Sequence, residues 1–301
     1  MQTVCMKGDP HMFFAKAPGR FLLLLLSFLT AAVWSAGCMA PPEQSDDKLV
    51  IAVSIPPQKA FVTAICQDQA QVVTVILPGY SPANYEPDAR EMQQLSEADV
   101  YFSIGVAAEE AYILPRLGSV PVVDLAERVA RELPDRRFAS GSRDPHIWLS
   151  VARVRIMSGA ILEAVVELDP DKADFYTANA RIFLEELDQL EQDIHALLAD
   201  DAGQTIVVYH PSYGYLADEA GLRMLSLEEE GKEATPQHLQ NLIDQAREAS
   251  VGVIFCQAEI DSRQSAAFAE EIGARIQILD PLSEDYVANM RAIARAFADA
   301  S

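Results

Sequence analysis

The sequence predicts an α/β protein made of two doubly wound parallel-sheet lobes joined by one long, rigid backbone helix. Three observations lead there: short apolar runs rich in β-branched residues alternate with helical patterns, this alternation occurs twice, and an uninterrupted helical signal separates the two series. Continuous apolar strands that alternate with helices indicate parallel sheets covered on both faces.

In the first series the strands are read at Leu49 to Val53, Val72 to Leu77, Val100 to Ile104 and Val120 to Val123, with helical patterns at Gln58 to Gln67 and Asp88 to Leu95. The second series has strands at Thr205 to Tyr209, Leu222 to Leu227, Val251 to Phe255 and Ile276 to Leu279. Thr235-Pro236 and Asp261-Ser262 are expected helix starts, each with a capping side chain before residues suited to a first turn. The separating signal runs from Asp171 to Ala199, with Phe175, Ala180, Phe183, Leu184, Leu187, Leu190, Ile194, Leu197 and Leu198 at three- and four-residue spacing. Such a helix would reach on the order of 40 Å and act as a stiff connector. The boundaries are placed at 48–168 for the N-terminal lobe, 169–203 for the linking helix and 204–301 for the C-terminal lobe.

Residues 1–37 are read as a signal peptide. Lys16 and Arg20 precede the apolar run Phe21 to Leu26, and Phe28, Leu29 and Ala31 to Trp34 extend it to Ser35-Ala36-Gly37-Cys38. The run is short for a membrane span. Met12 begins a tidier signal than Met1, so residues 1–11 are expected to lie upstream of the natural start. Small residues before a cysteine look like a bacterial lipobox, with Cys38 as the lipidated residue; Ser35 departs from that pattern, and cleavage near Ala36 or Ala40 is the alternative. Residues 38–47, with Pro41-Pro42 and an acidic end, suit a tether.

A formal net charge of -22 argues against nucleic acid as a partner, since phosphates would be repelled. It suits a protein that collects cations, and it equally suits one that only stays soluble. Beyond the leader, only Cys66 and Cys256 remain; they fall in different lobes and are read as two separate buried thiols.

Four fragments carry the chemistry: Pro78-Gly79-Tyr80-Ser81-Pro82-Ala83-Asn84-Tyr85-Glu86-Pro87, Asp144-Pro145-His146-Ile147-Trp148-Leu149, Tyr209-His210-Pro211-Ser212-Tyr213-Gly214-Tyr215 and Leu279-Asp280-Pro281. His210 and Asp280 directly follow strands, and side chains at the carboxyl ends of parallel strands converge on the ligand crevice; Asp280 before Pro281 would alternatively only start a turn. His146 sits in a loop before a helix, with Trp148 placed to wall the site against water. Two imidazoles and a carboxylate form a sound ligand set for a borderline divalent ion. A lone histidine after a strand is more often a packed core or surface residue, so the weight rests on the constellation. His195, on the polar face of the long helix, and His238, in a first helical turn, are read as solvent-facing.

Together, in this order, these fragments resemble the zinc/manganese class (cluster A-I) of solute-binding proteins that deliver metal to ABC importers. The resemblance runs from Lys48 to the C-terminus. It implies a metal cleft between the lobes, small closure about the single backbone helix, His146, His210 and Asp280 as metal ligands, and Zn2+ or Mn2+ as cargo. It also implies an ABC transporter permease as partner, and an exported monomer in the periplasm or at the cell surface, anchored by lipid if Cys38 is processed.

The sequence departs from the family at Ala83, which stands where the pattern has a histidine. Asn84 or Glu86 would supply an oxygen, water would fill the place, Cys256 would intrude, or affinity would be lost; Glu86 would equally serve as a cap for the following helix. Oxygen in place of imidazole narrows zinc's margin over manganese. The segment Arg131 to Arg143 holds four arginines and no histidine, so no metal-gathering loop is visible; Glu228-Glu229-Glu230 is a short acidic run that would attract cations or, equally, form a solvated loop. The expected function is a binding receptor, not an enzyme. The rivals are a metal-dependent hydrolase, which needs a general base at a bound water, and an adhesin or a receptor for a metal–chelator complex.

Overall fold

The computed structural model describes residues 48–229, 232–233, 235–257 and 263–300. The leader, the tether, Cys38 and the helix start at Asp261-Ser262 lie outside the described residues.

Two four-stranded sheets, all parallel, organise the chain. The first is built from β1 (Leu49–Val53), β2 (Ala70–Thr74), β3 (Val100–Ser103) and β4 (Val122–Asp124), in the order β2-β1-β3-β4. The second is built from β5 (Thr205–Val208), β6 (Arg223–Ser226), β9 (Val253–Gln257) and β10 (Arg275–Leu279), in the order β10-β9-β5-β6. Read from its own first strand, the second order repeats the first: strand two, strand one, strand three, strand four. In both lobes the order in which strands are added across the sheet therefore reverses between the first and third strands, β1/β3 in one and β5/β9 in the other. In open α/β sheets the crevice beyond that switch point is where ligands bind. Between β6 and the next helix, Glu228–Glu229 (β7) and Lys232–Glu233 (β8) pair as a short antiparallel ribbon.

The strand edges differ slightly from the sequence reading. β2 starts at Ala70, directly after a one-turn 3-10 helix over Gln67–Gln69, and not at Val72; its ladder is prolonged by the Val75 and Ile76 N–H groups donating to Val53 and Ser54 carbonyls. The third strand of the second lobe is displaced by two residues, to Val253–Gln257, which puts Gln257 at its carboxyl end.

Helices fill the faces. α1 (Pro56–Cys66) and α2 (Ala89–Leu95) belong to the first lobe. Asp88 caps α2 by accepting the Arg90 and Glu91 N–H groups, and the Glu91 side chain accepts from Asp88 N–H, which is a reciprocal capping box. The cap is therefore Asp88, not Glu86. After α3 (Leu125–Ala130), the helix α4 (Val151–Leu168) leaves the first lobe with Ser150 as its cap.

The connector α5 (Ala173–Leu197) is 25 residues long and reaches roughly 37 Å. Ala180, Phe183, Leu187, Leu190 and Ile194 form its buried stripe, as the spacing requires. Phe175 is exposed instead; the adjacent Tyr176 is fully buried and its hydroxyl donates to Asp169. α5 packs on α1 and α4 of the first lobe and on the last helix of the second, α9 (Tyr286–Ala298). The main core is accordingly continuous from Ile51 and Phe61 through Phe183 to Tyr213, Phe255 and Phe297. The outer face of the second sheet has its own core, where α7 (Pro236–Glu248) and α8 (Arg263–Ile272) contribute Leu242, Ile243 and Phe268 against Ile254 and Cys256. Thr235 caps α7, with its hydroxyl accepting the His238 N–H, and Pro236 follows.

Cys66 and Cys256 are both buried and free. Among the described residues, no helix is long and apolar enough to cross a membrane.

Candidate metal site

His210 follows β5 by two residues, and Glu228 follows β6 by two. The ladder between these strands continues past their ends, with Leu227 N–H donating to Val208 O and Glu228 N–H to Tyr209 O. That register sets the Glu228 carboxylate beside the imidazole, and His210 Nδ1 lies 3.0 Å from Glu228 Oε1. Glu228 is buried, so it is no part of a solvated acidic run.

His146 is held in a similar way from the other lobe. It sits at the end of the loop that opens the one-turn 3-10 helix Ile147–Leu149. Asp144 Oδ1 accepts the His146 backbone N–H at 3.0 Å and lies 2.7 Å from its Nδ1. The other Asp144 oxygen receives Arg136 Nη1 at 3.0 Å, and Asp144 is fully buried. A carboxylate at Nδ1 selects the tautomer that leaves the Nε2 lone pair outward, the usual way proteins prepare an imidazole for a metal.

The two prepared nitrogens face each other, with Nε2 of His146 and Nε2 of His210 3.2 Å apart. Two metal–nitrogen bonds of about 2.0–2.1 Å at a tetrahedral angle would separate their nitrogens by about 3.3 Å. The pair is thus already spaced for one ion. Burial pushes the His146 imidazole below its ordinary range, Asp144 partly offsetting this while His210 and Arg136 add to it, so the ring stays neutral and able to ligate.

Trp148 packs its ring 5.2 Å from that of His146, and its indole N–H donates to Pro281 O at 2.8 Å. It is therefore both the wall of the site and a tie to the loop after β10. His195 and His238 are exposed and away from this cluster.

The imidazoles open on a cavity of about 480 Å³. Its walls include Ser81, Pro82 and Ala83 from the loop after β2, Gly105 and Val106 from the loop after β3, and Gln257 at the end of β9. The switch points of both sheets therefore meet in one cleft. Gly105 has φ +84, which favours glycine in this wall.

The remaining expected residues fall differently. Pro281 and Leu282 line the cavity, but Asp280 does not; it is exposed, and its carboxylate accepts the Leu282 N–H at 2.8 Å. Asn84 and Glu86 are exposed and outside the lining, although Ala83 is in it. Cys256 is buried in the outer core and does not reach the cavity. Among the described residues, no third histidine, cysteine or carboxylate joins a metal-holding group. What the sequence reading missed was Asp144 and Glu228 as imidazole partners. The signals were there: Asp144 stands two residues before His146, and Glu228 directly follows a strand end, as His210 does.

A cleft between two parallel-sheet lobes, lined by paired imidazoles each held by a buried carboxylate, is the architecture of a metal-binding solute receptor. The chain belongs to the family of zinc-uptake complex component A, periplasmic, whose pattern matches residues 51–300. It is similar to the manganese-binding lipoprotein MntA of Halalkalibacterium halodurans, at 27% identity over 82% of this chain and 85% of that one. The high-affinity zinc uptake system protein ZnuA of Bacillus subtilis matches at 24% identity over 89% of each chain. Among solved structures, a crystal structure of ZnuA superposes with a TM-score of 0.79 at 34% identity, covering 84% of this chain and 99% of that one.

Proposed function

We propose that this protein is an extracytoplasmic receptor that captures one divalent transition ion, zinc or manganese, between its lobes and delivers it to an ABC transporter permease. The observation that carries this reading is the 3.2 Å approach of the two Nε2 atoms, one from each lobe, each ring backed by a buried carboxylate. Capture and delivery need no bond to be broken, in keeping with a family of non-enzymatic binding components. The comparisons give the metal-dependent hydrolase no support.

His146 and His210 are the proposed ligands. Asp280 is the proposed third; it adjoins Pro281 in the cavity wall, and exchange of its Leu282 bond for the metal would bring it in. Asn84 and Glu86 are proposed for the remaining position, with water as their substitute. Lipid attachment at Cys38, a monomeric state and a place at the cell surface or in the periplasm complete the proposal.

The test is metal content and titration of the purified protein with zinc and manganese. One equivalent held by the wild type and lost in His210→Ala is expected, with Asp280→Ala weakened but still binding. A wild type that takes up neither ion would overturn the proposal. The cavity, far larger than an ion, favours one further reading: the metal enters with a small chelating co-ligand. Binding that requires such a molecule together with the ion would distinguish it.

A further inference from the structure

We infer that Arg136 is a positioning residue for metal capture: docked against Gly214 of the opposite lobe, it sets the gap between His146 and His210. This inference rests on the two histidines being the metal ligands.

Arg136 belongs to the first-lobe loop that carries His146. Its carbonyl accepts the Asp144 N–H at 2.9 Å, and its Nη1 meets the Asp144 carboxylate. Loop, guanidinium, Asp144 and His146 are thus one assembly. Every other bond of Arg136 crosses to α6 (Gly214–Ala220), the helix that follows the His210 loop. Its Nε donates to Asp218 Oδ2 at 3.1 Å, and its backbone N–H donates to the Tyr215 hydroxyl at 3.1 Å. That hydroxyl in turn donates to the Asp144 carbonyl at 3.0 Å. Tyr215 is further clasped by Arg153, whose guanidinium stands 4.1 Å over the ring.

Gly214 makes this docking possible. It opens α6 in ordinary helical conformation, so its backbone does not demand glycine. A side-chain carbon at this position, however, would overlap the Arg136 guanidinium. The first turn of α6 is therefore a seat for that group, and the seat fixes how closely the His146 loop approaches the element carrying His210.

The two halves of the arrangement differ in strength. Asp144 is fully buried and its bond to Arg136 is costly to lose, whereas Asp218 is mostly exposed and its pair with Arg136 is weak. Separation of the lobes would part Arg136 from Asp218 and Tyr215 while leaving it on Asp144. The histidine pair would open without either ring losing its carboxylate.

The test compares wild type, Arg136→Ala, Arg136→Lys and Gly214→Ala for zinc affinity by chelator competition, for the visible spectrum of the cobalt(II)-loaded protein, and for thermal stability without metal. Loss of a group that orients a ligand typically costs about 10- to 100-fold in metal affinity. That loss is expected in Arg136→Ala, together with an altered cobalt spectrum, and Arg136→Lys should fall between it and wild type. Gly214→Ala separates position from stability, since alanine favours a helix more than glycine does. It should lift the flexible guanidinium off its seat with the Asp144 bond kept, so that the melting temperature changes little while zinc weakens and the spectrum changes. Wild-type affinity and spectrum in both Arg136→Ala and Gly214→Ala would overturn the inference; if Gly214→Ala does not fold, Arg136→Ala decides alone. A wild type that binds no zinc would remove the proposed function, and this inference with it; tight binding by every variant would remove only the inference.

Discussion

His146 and His210 bring their Nε2 atoms to 3.2 Å although 64 positions separate them in the chain. Two nitrogen lone pairs this close repel unless one ring rotates or a proton or metal ion is shared between them. Here rotation is resisted at both Nδ1 atoms, by Asp144 and by Glu228. The arrangement suits a shared cation, which the carboxylates behind the rings would support without touching it.

Glu228 should accordingly tune affinity without being a ligand. Glu228→Gln keeps an acceptor for His210 Nδ1 but removes the charge, and zinc binding is expected to weaken by about tenfold, at the low end of such substitutions. Chelator competition measures it. Affinity within a factor of about two of wild type would show that the Glu228 charge is irrelevant to the ion.

The fold was legible because its signal is periodic. β-branched runs and the three-four spacing of α5 follow from which faces are buried, and burial is written residue by residue. The position of His210 was legible from a strand end and that of His146 from a motif with enough residues to be specific. Glu228 was not, because an acid in a run of three reads as surface until the β5–β6 register places it beside His210. Asp280 shows the opposite limit: its position after β10 was read correctly, yet its side chain is engaged with Leu282. Sequence fixes the backbone position more firmly than the rotamer.

Glu109 holds the other cavity wall in shape. It is buried in a one-turn π-helix, Glu109–Ile113, and accepts the N–H groups of Ile104, Gly105 and Val106 together with the hydroxyls of Tyr101 and Ser54. Burial pushes its carboxyl upward, and these donors pull it back. Glu109→Ala would strand the three backbone donors, at a cost of about 1 kcal/mol or more each, so a loss of roughly 3 kcal/mol is expected in denaturant unfolding. Glu109→Gln, which retains one acceptor, should lose less. Equal stability of the alanine variant and wild type would mean that water satisfies this loop.

The thiols should be inert in the folded protein. Burial pushes Cys66 up to about 12 and raises Cys256 as well. Near pH 8 the Cys66 thiolate would be on the order of one in ten thousand, and the thiolate is the reactive species. A chromogenic disulfide reagent should therefore detect Cys66, by difference from Cys66→Ser, only after denaturant is added. Reaction within minutes under native conditions would require the end of α1 to open locally.

Acid should weaken the metal-free protein partly through His146. Its folded value lies below the ordinary 6.5 because burial disfavours the imidazolium more than Asp144 favours it. In the unfolded chain the ring protonates at its ordinary value, so between the two values the unfolded state binds more protons. Stability then rises with pH. This contribution is complete above about 6.5 and is lost as pH falls toward the folded value. Urea unfolding of the metal-free protein between about pH 8 and pH 5 should fall more steeply for wild type than for His146→Asn, which has no imidazole to protonate. Parallel curves would mean that the ring titrates alike in both states and that its burial is relieved by water. The direction also bears on the proposed capture, because a proton on His146 would compete directly with a bound ion. A ring held neutral below its ordinary range would keep that half of the proposed site open to metal in mildly acidic surroundings.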